Sequence, residues 1–196
     1  MVSLANPVQH AVEKTAVKTA FLIVDTESIP DGRLLNLAKY PGEKLSDDDA
    51  IARAQEEARA TSFTKSDFLP VTFQIPVAIC VARVAADLSL TNVTCLDAPQ
   101  YRTHEMVRQF FIGYERYKAK LVTFNGRGFD MPLLELAAAR YGISAPHYFA
   151  QGRHRYNGGL DLMEWFSNFN AFRMIGGLNV LAKMLGLPGK MDVAGN

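Results

Sequence analysis

The chain has 196 residues, of which 48% are hydrophobic, so it is long enough to bury the core of one domain. Its formal net charge of +1 gives no general attraction for polyanions, and any nucleic-acid contact must come from a local patch. Cys80 and Cys95 lie in apolar runs without a CxxC spacing, which argues against a zinc site and against a disulfide framework.

The two ends of the chain carry few signals. No run approaches the ~18 apolar residues of a membrane span, and the N-terminus lacks the residue order of a signal peptide. We therefore expect a soluble, cytoplasmic protein without membrane contact. Residues 1–18 lack a strong period and predict a flexible lead-in, and residues 19–196 predict a single domain.

The first predicted element is a strand that ends in two carboxylates. Phe21 to Val24 form an apolar run rich in β-branched residues, which indicates a central strand covered on both faces. Because side chains alternate along a strand, Asp25 and Glu27 point the same way and Thr26 points the opposite way. Adjacent carboxylates repel unless a cation lies between them, and Mg²⁺ or Mn²⁺ fits this oxygen donor set. The D-x-E pattern alone is also typical of a solvated loop entry.

The next segments predict a turn, a helix and a loop. Pro and Gly in residues 29–32 indicate that the first strand stops at the carboxylates. A cap residue and an acidic first turn predict a surface helix over residues 46–60. Its acidic triplet has the alternative interpretation of a metal site, but acids at a helix start typically pair with the helix dipole. Residues 61–72 show no clear period and indicate a surface loop.

Most of the sheet is predicted in the middle of the chain. Residues 74–84 and 90–96 are strand candidates joined by a short turn, so the sheet begins with a meander. Residues 103–118 carry apolar side chains at spacings typical of an amphipathic helix that packs on this sheet. Residues 120–125 indicate a further buried strand.

A third acid follows this strand. Residues 129–141 predict a helix, with Gly142 just past its end. Asp130 lies at the N-terminal end of that helix, where the helix dipole favours its ionised form. If the preceding strand neighbours the first one, Asp130 lies at the same sheet end as Asp25 and Glu27.

The C-terminal part predicts a core segment and one more helix. Residues 178–187 are amphipathic and indicate a helix. Several aromatic side chains follow Asp161, and core packing is the preferred account of them: Trp165, Phe166, Phe169 and Phe172.

Two segments, in this order, resemble a known superfamily of nucleases. V-D-T-E-S at residues 24–28 and T-F-N-G-R-G-F-D at residues 123–130 are similar to the first two motifs of the DEDD 3′–5′ exonucleases. The N-G-x-x-F-D form resembles the family-B DNA polymerase type, especially its stand-alone bacterial members. Residues 68–82 and 158–167 also resemble that group, so the resemblance spans about residues 21–189.

The resemblance implies an α/β ribonuclease H-like fold, with a mixed sheet of about five strands flanked by helices. It also implies metal-dependent hydrolysis of single-stranded nucleic acid from the 3′ end, DNA being favoured over RNA, with release of nucleoside monophosphates. By this resemblance Asp25 bridges two Mg²⁺ or Mn²⁺ ions, Glu27 ligates one of them and orients the water or strand end, and Asp130 holds the second.

The same resemblance implies substrate contacts around the acids. Asn125 offers hydrogen bonds and Phe129 packs or stacks on the terminal nucleotides, while Thr26 and Ser28 lie beside the substrate. Two alternatives stay open, because Asn125 also suits a turn before Gly126 and Phe129 also suits a core position.

Further candidates lie outside the acidic motif. Arg127 is expected to reach a phosphate, and Arg153, Arg155 and Tyr156 form a basic and aromatic loop that suits phosphates and a stacked base. Such loops are more often simply solvated. Asp161 matches the D-L that follows the second motif in the resembled group and is expected to be a supporting residue.

The third motif of the resembled pattern is missing. Neither Y-x-x-x-D nor H-x-x-x-x-D occurs, so we expect a C-terminally incomplete domain that lacks one of the four metal carboxylates. Two other functions therefore remain open. One is a non-catalytic nucleic-acid-binding or polymerase-associated module. The other is an unrelated α/β enzyme in which Asp25 and Asp130 lie far apart.

Overall fold

A computed structural model describes residues 18–152 and 159–189 of the chain. The strands are β1 (Thr19–Pro30), β2 (Gln74–Ala85), β3 (Leu90–Cys95), β4 (Lys120–Thr123) and β5 (Leu160–Asp161). The helices are α1 (Gly32–Ala38), α2 (Asp47–Thr61), α3 (Thr103–Tyr117), α4 (Asp130–Tyr141), α5 (Pro146–Phe149), α6 (Leu162–Phe166) and α7 (Gly177–Met184).

The strands form one five-stranded mixed sheet in the order β3-β2-β1-β4-β5. The first three strands are an antiparallel meander, and β4 and β5 continue the sheet in parallel with β1. The predicted fold class, an α/β mixed sheet that begins with a meander, is confirmed. Strand β1 lies at the centre of the sheet, between β2 and β4.

The first strand is longer than predicted. Its ladder with β2 continues past the carboxylates to Pro30, with a register shift between Glu27 and Ser28. The prediction that the strand stops at the carboxylates was wrong, because the turn chemistry acts only after Pro30. There Asp31 caps α1 by accepting a hydrogen bond from the Leu34 amide.

One face of the sheet carries the main core. Leu22 and Val24 of β1 are buried there, under α3 and α4. The opposite face of β1 is open among the described residues, since Ile23 is 43% exposed. The expectation that the first strand is covered on both faces is therefore wrong for this part of the chain. The largest fully buried side chains of the core are Phe111, Tyr148, Ile79, Met106, Met131 and Leu134.

The C-terminal segment packs less than predicted. Trp165, Phe169 and Phe172 are 58%, 75% and 56% exposed, so the expectation that they pack in the core was wrong. Trp165 lies in the short helix α6, and Phe169 and Phe172 follow it in the chain. Helix α6 directly follows the edge strand β5, where the sheet offers little area to cover these side chains. Over the described ranges, no helix has both the length and the apolar composition for a membrane crossing.

Candidate active site

Two carboxylates extend from the open face of the central strand. Asp25 and Glu27 are exposed, whereas Thr26 between them is only 8% exposed and faces the core. This is the alternation that the sequence predicted. The backbone of Asp25 is held in place by its ladder with β2, where Cys80 is its direct partner. The two acids therefore stand on a rigid element rather than on a loop.

The third acid is joined to this strand by a buried hydrogen bond. Asp130, the first residue of α4, is 6% exposed, and its Oδ1 accepts a hydrogen bond of 2.7 Å from the Thr26 hydroxyl. The contact spans 104 residues of sequence. The contact places Asp130 against the strand that carries Asp25 and Glu27, which argues against an unrelated enzyme in which Asp25 and Asp130 lie far apart. Thr26, expected to lie beside the substrate, is buried, and its hydroxyl is bound to Asp130.

Burial raises the pKa of Asp130 above its usual range. The hydroxyl of Thr26 acts in the opposite direction, because its hydrogen bond favours the carboxylate, and the negative charge of Asp25 raises the pKa further. The influence of Asp25 indicates that the carboxylates of the two motifs are electrostatic neighbours. A carboxyl group in this state gains from any nearby cation.

The donor chemistry of the three acids fits a hard divalent cation, because carboxylate oxygens are the ligands that Mg²⁺ and Mn²⁺ prefer. Their arrangement is open, however. Within residues 18–152 and 159–189, no three His, Cys, Asp or Glu side chains converge into a ready-made metal site. Asp25 and Glu27 present their carboxylates to a cation on the open sheet face, whereas Asp130 is buried and bound to the Thr26 hydroxyl.

The loop between β4 and α4 is a tight turn around Asn125. This residue is exposed and has a φ of +64°, a left-handed conformation that asparagine tolerates better than most residues. Its carbonyl accepts hydrogen bonds from the amides of Gly128 and Phe129. The backbone of Asn125 thus forms the turn before Gly126, which is one of the two roles that the sequence left open for this residue. Gly126 is required, since a Cβ there would lie 2.4 Å from the Thr123 side chain.

Asp161 fastens this loop to the sheet. Its carboxylate accepts hydrogen bonds from the amides of Asn125 (2.8 Å) and Arg127 (2.9 Å). It also caps α6 through the Met163 amide at 3.0 Å. The arrangement is that of a supporting residue. The Arg127 guanidinium pairs with Glu164 at 3.1 Å, so a phosphate there would compete with this carboxylate.

Replacing Asp161 by alanine is expected to lower the free energy of unfolding by about 0.5–2 kcal/mol, the usual cost of losing a helix cap. The loss has a second part, because the amides of the turn lose their acceptor. Urea denaturation measures the change. The matched control is Asp48→Ala in the exposed first turn of α2, and a variant of Asp161 as stable as that control would contradict the supporting role.

Asp25 and Glu27 lie on an open sheet face, whereas Asp130 is buried. A cleft of about 320 Å³ lies beside the loop between β4 and α4. Its lining residues include Thr123, Asp161 and Trp165. None of the three acids lines it. Sites for small molecules are usually concave and enclosing, whereas an exposed sheet face leaves room for a polymer end.

A family model described as a predicted 3′–5′ exonuclease related to the exonuclease domain of PolB matches residues 66–196. The chain belongs to this family. The matched segment contains Asn125, Phe129 and Asp130 but begins after Asp25 and Glu27. The Thr26–Asp130 hydrogen bond therefore joins the matched segment of the exonuclease family to the strand before it.

Two solved structures show similarity to this PolB-type exonuclease family member. The crystal structure of E. coli Exonuclease I in complex with a dT13 oligonucleotide is 13% identical with a TM-score of 0.40, covering 81% of this chain and 31% of that chain. An ExoI/SSB-Ct complex is 14% identical with a TM-score of 0.46, covering 90% of this chain and 38% of that chain. The chain thus spans well under two thirds of either protein. No curated protein sequence matches it.

An aromatic pair that sequence reasoning missed lies beside the exonuclease-family motif. Phe68 is 59% exposed, and its ring centroid lies 5.4 Å from that of Phe129. The Gln74 side chain holds the Phe68 loop by donating to the Leu69 carbonyl at 3.1 Å, and it accepts a hydrogen bond of 3.3 Å from Ser28. The available sequence signals were a phenylalanine in a loop without period and the resemblance of residues 68–82 to the exonuclease group.

The remaining sequence-predicted residues cannot be placed. Arg153, Arg155 and Tyr156 lie outside the described residues. Cys80 is the direct strand partner of Asp25. Burial raises the pKa of its thiol to about 11, and the nearby Cys95 thiol and the charge of Asp25 act in the same direction.

Proposed function

We propose that the protein is a metal-dependent 3′–5′ exonuclease that hydrolyses single-stranded nucleic acid, preferably DNA, to nucleoside monophosphates. The observation that carries this proposal is the buried hydrogen bond between Thr26 and Asp130. It brings the D-T-E segment of the central strand against the F-D segment at residues 129–130, which lies in the range that the exonuclease family model matches. Family membership supports the reaction class, and the strand register supports the choice of acids.

In this proposal Asp25, Glu27 and Asp130 hold two divalent ions, Mg²⁺ or Mn²⁺. When bound, the ions supply positive charge against the charge that develops on the phosphate during hydrolysis. Asp25 and Glu27 present their oxygens to solvent on the sheet face, where the 3′ end of a nucleic-acid strand has access. Asp130 is positioned by Thr26, and the raised pKa of this carboxyl falls when a cation approaches.

Single-stranded substrate is supported by the aromatic pair. Phe68 is exposed and Phe129, its neighbour, directly precedes Asp130 in the sequence. An unpaired base stacks on such rings, whereas a base inside a duplex does not present its face. The choice of DNA over RNA rests on the relation of the family to the exonuclease domain of PolB.

Degradation of a 5′-labelled single-stranded DNA in Mg²⁺ or Mn²⁺ tests the proposal. We expect a ladder of products that shortens from the 3′ end, stops when the metal is chelated, and releases mononucleotides from a 3′-labelled strand. Failure of the folded protein to produce this ladder with either metal would sink the enzyme proposal.

A second candidate function is a non-catalytic module that binds nucleic acid. The observation that favours it is the absence, within the described ranges, of three acidic side chains that already converge on one metal position. This alternative predicts binding of a single strand without turnover. An anisotropy titration of the same labelled strand, in the presence and absence of Mg²⁺, separates it from a protein that does not bind.

Truncating Phe68 to alanine is expected to raise the KM for single-stranded DNA and to leave kcat nearly unchanged. The lost base stacking is worth about 1–3 kcal/mol, which corresponds to about 5- to 150-fold in affinity. Steady-state kinetics on the labelled strand measure the effect. The matched control is Phe63→Ala, because Phe63 is 99% exposed in the same segment. An unchanged KM in the Phe68 variant would remove this side chain from the substrate site.

A further inference from the structure

Two cysteines face each other across neighbouring strands. Cys80 of β2 and Cys95 of β3 are direct partners in the antiparallel ladder. The amide of Leu96 donates to the Ile79 carbonyl at 2.8 Å, so the cysteine pair occupies a non-hydrogen-bonded position of the ladder. Opposite Cα atoms at such positions are about 4.5 Å apart, and their side chains lie on the same face.

This geometry suits a covalent bond between the two sulfur atoms. Disulfides form across Cα separations of about 4.4–6.8 Å, a range that includes the spacing of non-hydrogen-bonded pairs. Cys95 is exposed and Cys80 is half-buried, so a reagent can reach the pair from solvent. Strand β3, which carries Cys95, is the edge of the sheet, and a cross-link to Cys80 would fasten it to β2.

We propose that Cys80 and Cys95 form a reversible disulfide, a modification site on the sheet next to the strand that carries Asp25 and Glu27. A small disulfide such as oxidised glutathione is the oxidant. The thiolate of Cys95 attacks it, forms a mixed disulfide and releases one glutathione thiolate. The thiolate of Cys80 then attacks the Cys95 sulfur and releases the second. The protein loses two electrons and two protons, and the oxidant becomes two thiols.

The inference rests on strand register and exposure, so it stands or falls separately from the proposed nuclease activity. Its local consequence concerns the sheet edge. β3 is held to the rest of the protein by its ladder with β2, and most of its side chains are exposed. A bond between Cys80 and Cys95 prevents this strand from peeling away. Amide exchange at Leu96, whose N–H belongs to the same ladder, reports that change.

The test incubates the native full chain with oxidised glutathione, blocks free thiols by alkylation and measures the intact mass. We expect the loss of two hydrogen masses, no retained glutathione, a cross-linked Cys80–Cys95 peptide, and slower exchange of the Leu96 amide. Reduction with dithiothreitol should restore the two hydrogen masses, remove the cross-linked peptide and restore the faster exchange of the Leu96 amide. Cys80→Ser is the matched control, because it should stop at the glutathione adduct on Cys95.

Three outcomes would overturn the proposal. The first is a wild-type protein that keeps glutathione on Cys95 as stably as the Cys80→Ser variant does. The second is a dimer joined through Cys95 on a non-reducing gel in place of the internal cross-link. The third is a cross-link that forms only in denaturing urea, since such a bond would not derive from the native strand register.

Discussion

Replacing Asp25 by asparagine is expected to lower kcat for 3′-end degradation by about 10³-fold. The substitution keeps the size of the side chain but removes its charge, and the loss of a metal-holding carboxylate costs several kcal/mol of transition-state stabilisation, of which about 4 kcal/mol corresponds to 10³-fold. The fold should be unaffected, because Asp25 is exposed and its place in the ladder with Cys80 depends only on the backbone.

The measurement is single-turnover degradation of the labelled strand in saturating Mg²⁺. The matched control is Asp48→Asn, which removes an equally exposed carboxylate from the first turn of α2. It should leave the rate within a factor of about two, because a screened surface charge contributes little. Activity of the Asp25 variant close to that of the control would contradict the proposed metal role and favour the binding module.

Replacing Asp130 by asparagine is expected to abolish degradation and, at neutral pH, to raise the free energy of unfolding. The reason is the raised pKa of Asp130, caused mainly by burial. The folded state binds this proton more tightly than the unfolded state. Below the unfolded pKa of about 3.9 the carboxyl is protonated in both states, and Asp130 then does not lower the free energy of unfolding. Its cost appears as the pH rises from there through the folded pKa, and the ionised form carries it at pH 7.

Asparagine carries no charge, so the variant avoids burying an ionised carboxylate. Its side-chain oxygen can still accept a hydrogen bond from the Thr26 hydroxyl. Urea denaturation at pH 7 and near pH 4 measures the effect, and the difference between variant and wild type should shrink toward the acid end. Mg²⁺ should stabilise the wild type more than the variant. The comparison variant is Thr26→Val, which loses the hydroxyl and should be less stable than wild type at pH 7. A destabilised asparagine variant at pH 7 would contradict the argument.

The parts of the site that sequence predicted are those with a local period. The two-residue alternation of β1 placed Asp25 and Glu27 on one face and Thr26 on the other, and the helix signals placed Asp130 within one residue of the start of α4. The meander also follows from local strand patterns and short turns. These features depend on neighbours in sequence, so reading the chain in windows recovers them.

The parts that were missed depend on distant partners. Helix α1 has few residues and no strong period, and its cap Asp31 is buried by a salt bridge to Arg140, 109 residues away. The contact of Phe68 with Phe129 and the register of Cys80 with Cys95 likewise arise only when separate elements pack. No local pattern encodes such pairings, which is why sequence reasoning predicted a substrate contact for Phe129 but not its partner Phe68, and did not pair Cys80 with Cys95.

The large sequence separation of Thr26 and Asp130 affects the stage of folding at which a nascent or damaged chain acquires all three acids of the proposed site. Strands β1, β2 and β3 of the antiparallel meander all precede β4 and α4 in the chain, and the meander already carries Asp25 and Glu27. Asp130 arrives only when β4 and α4 close a loop of 104 residues, a step that pays its entropy before it gains contacts. A half-folded chain thus holds two of the acids without the third, and the proposed strand-cutting chemistry is withheld until the sheet is whole.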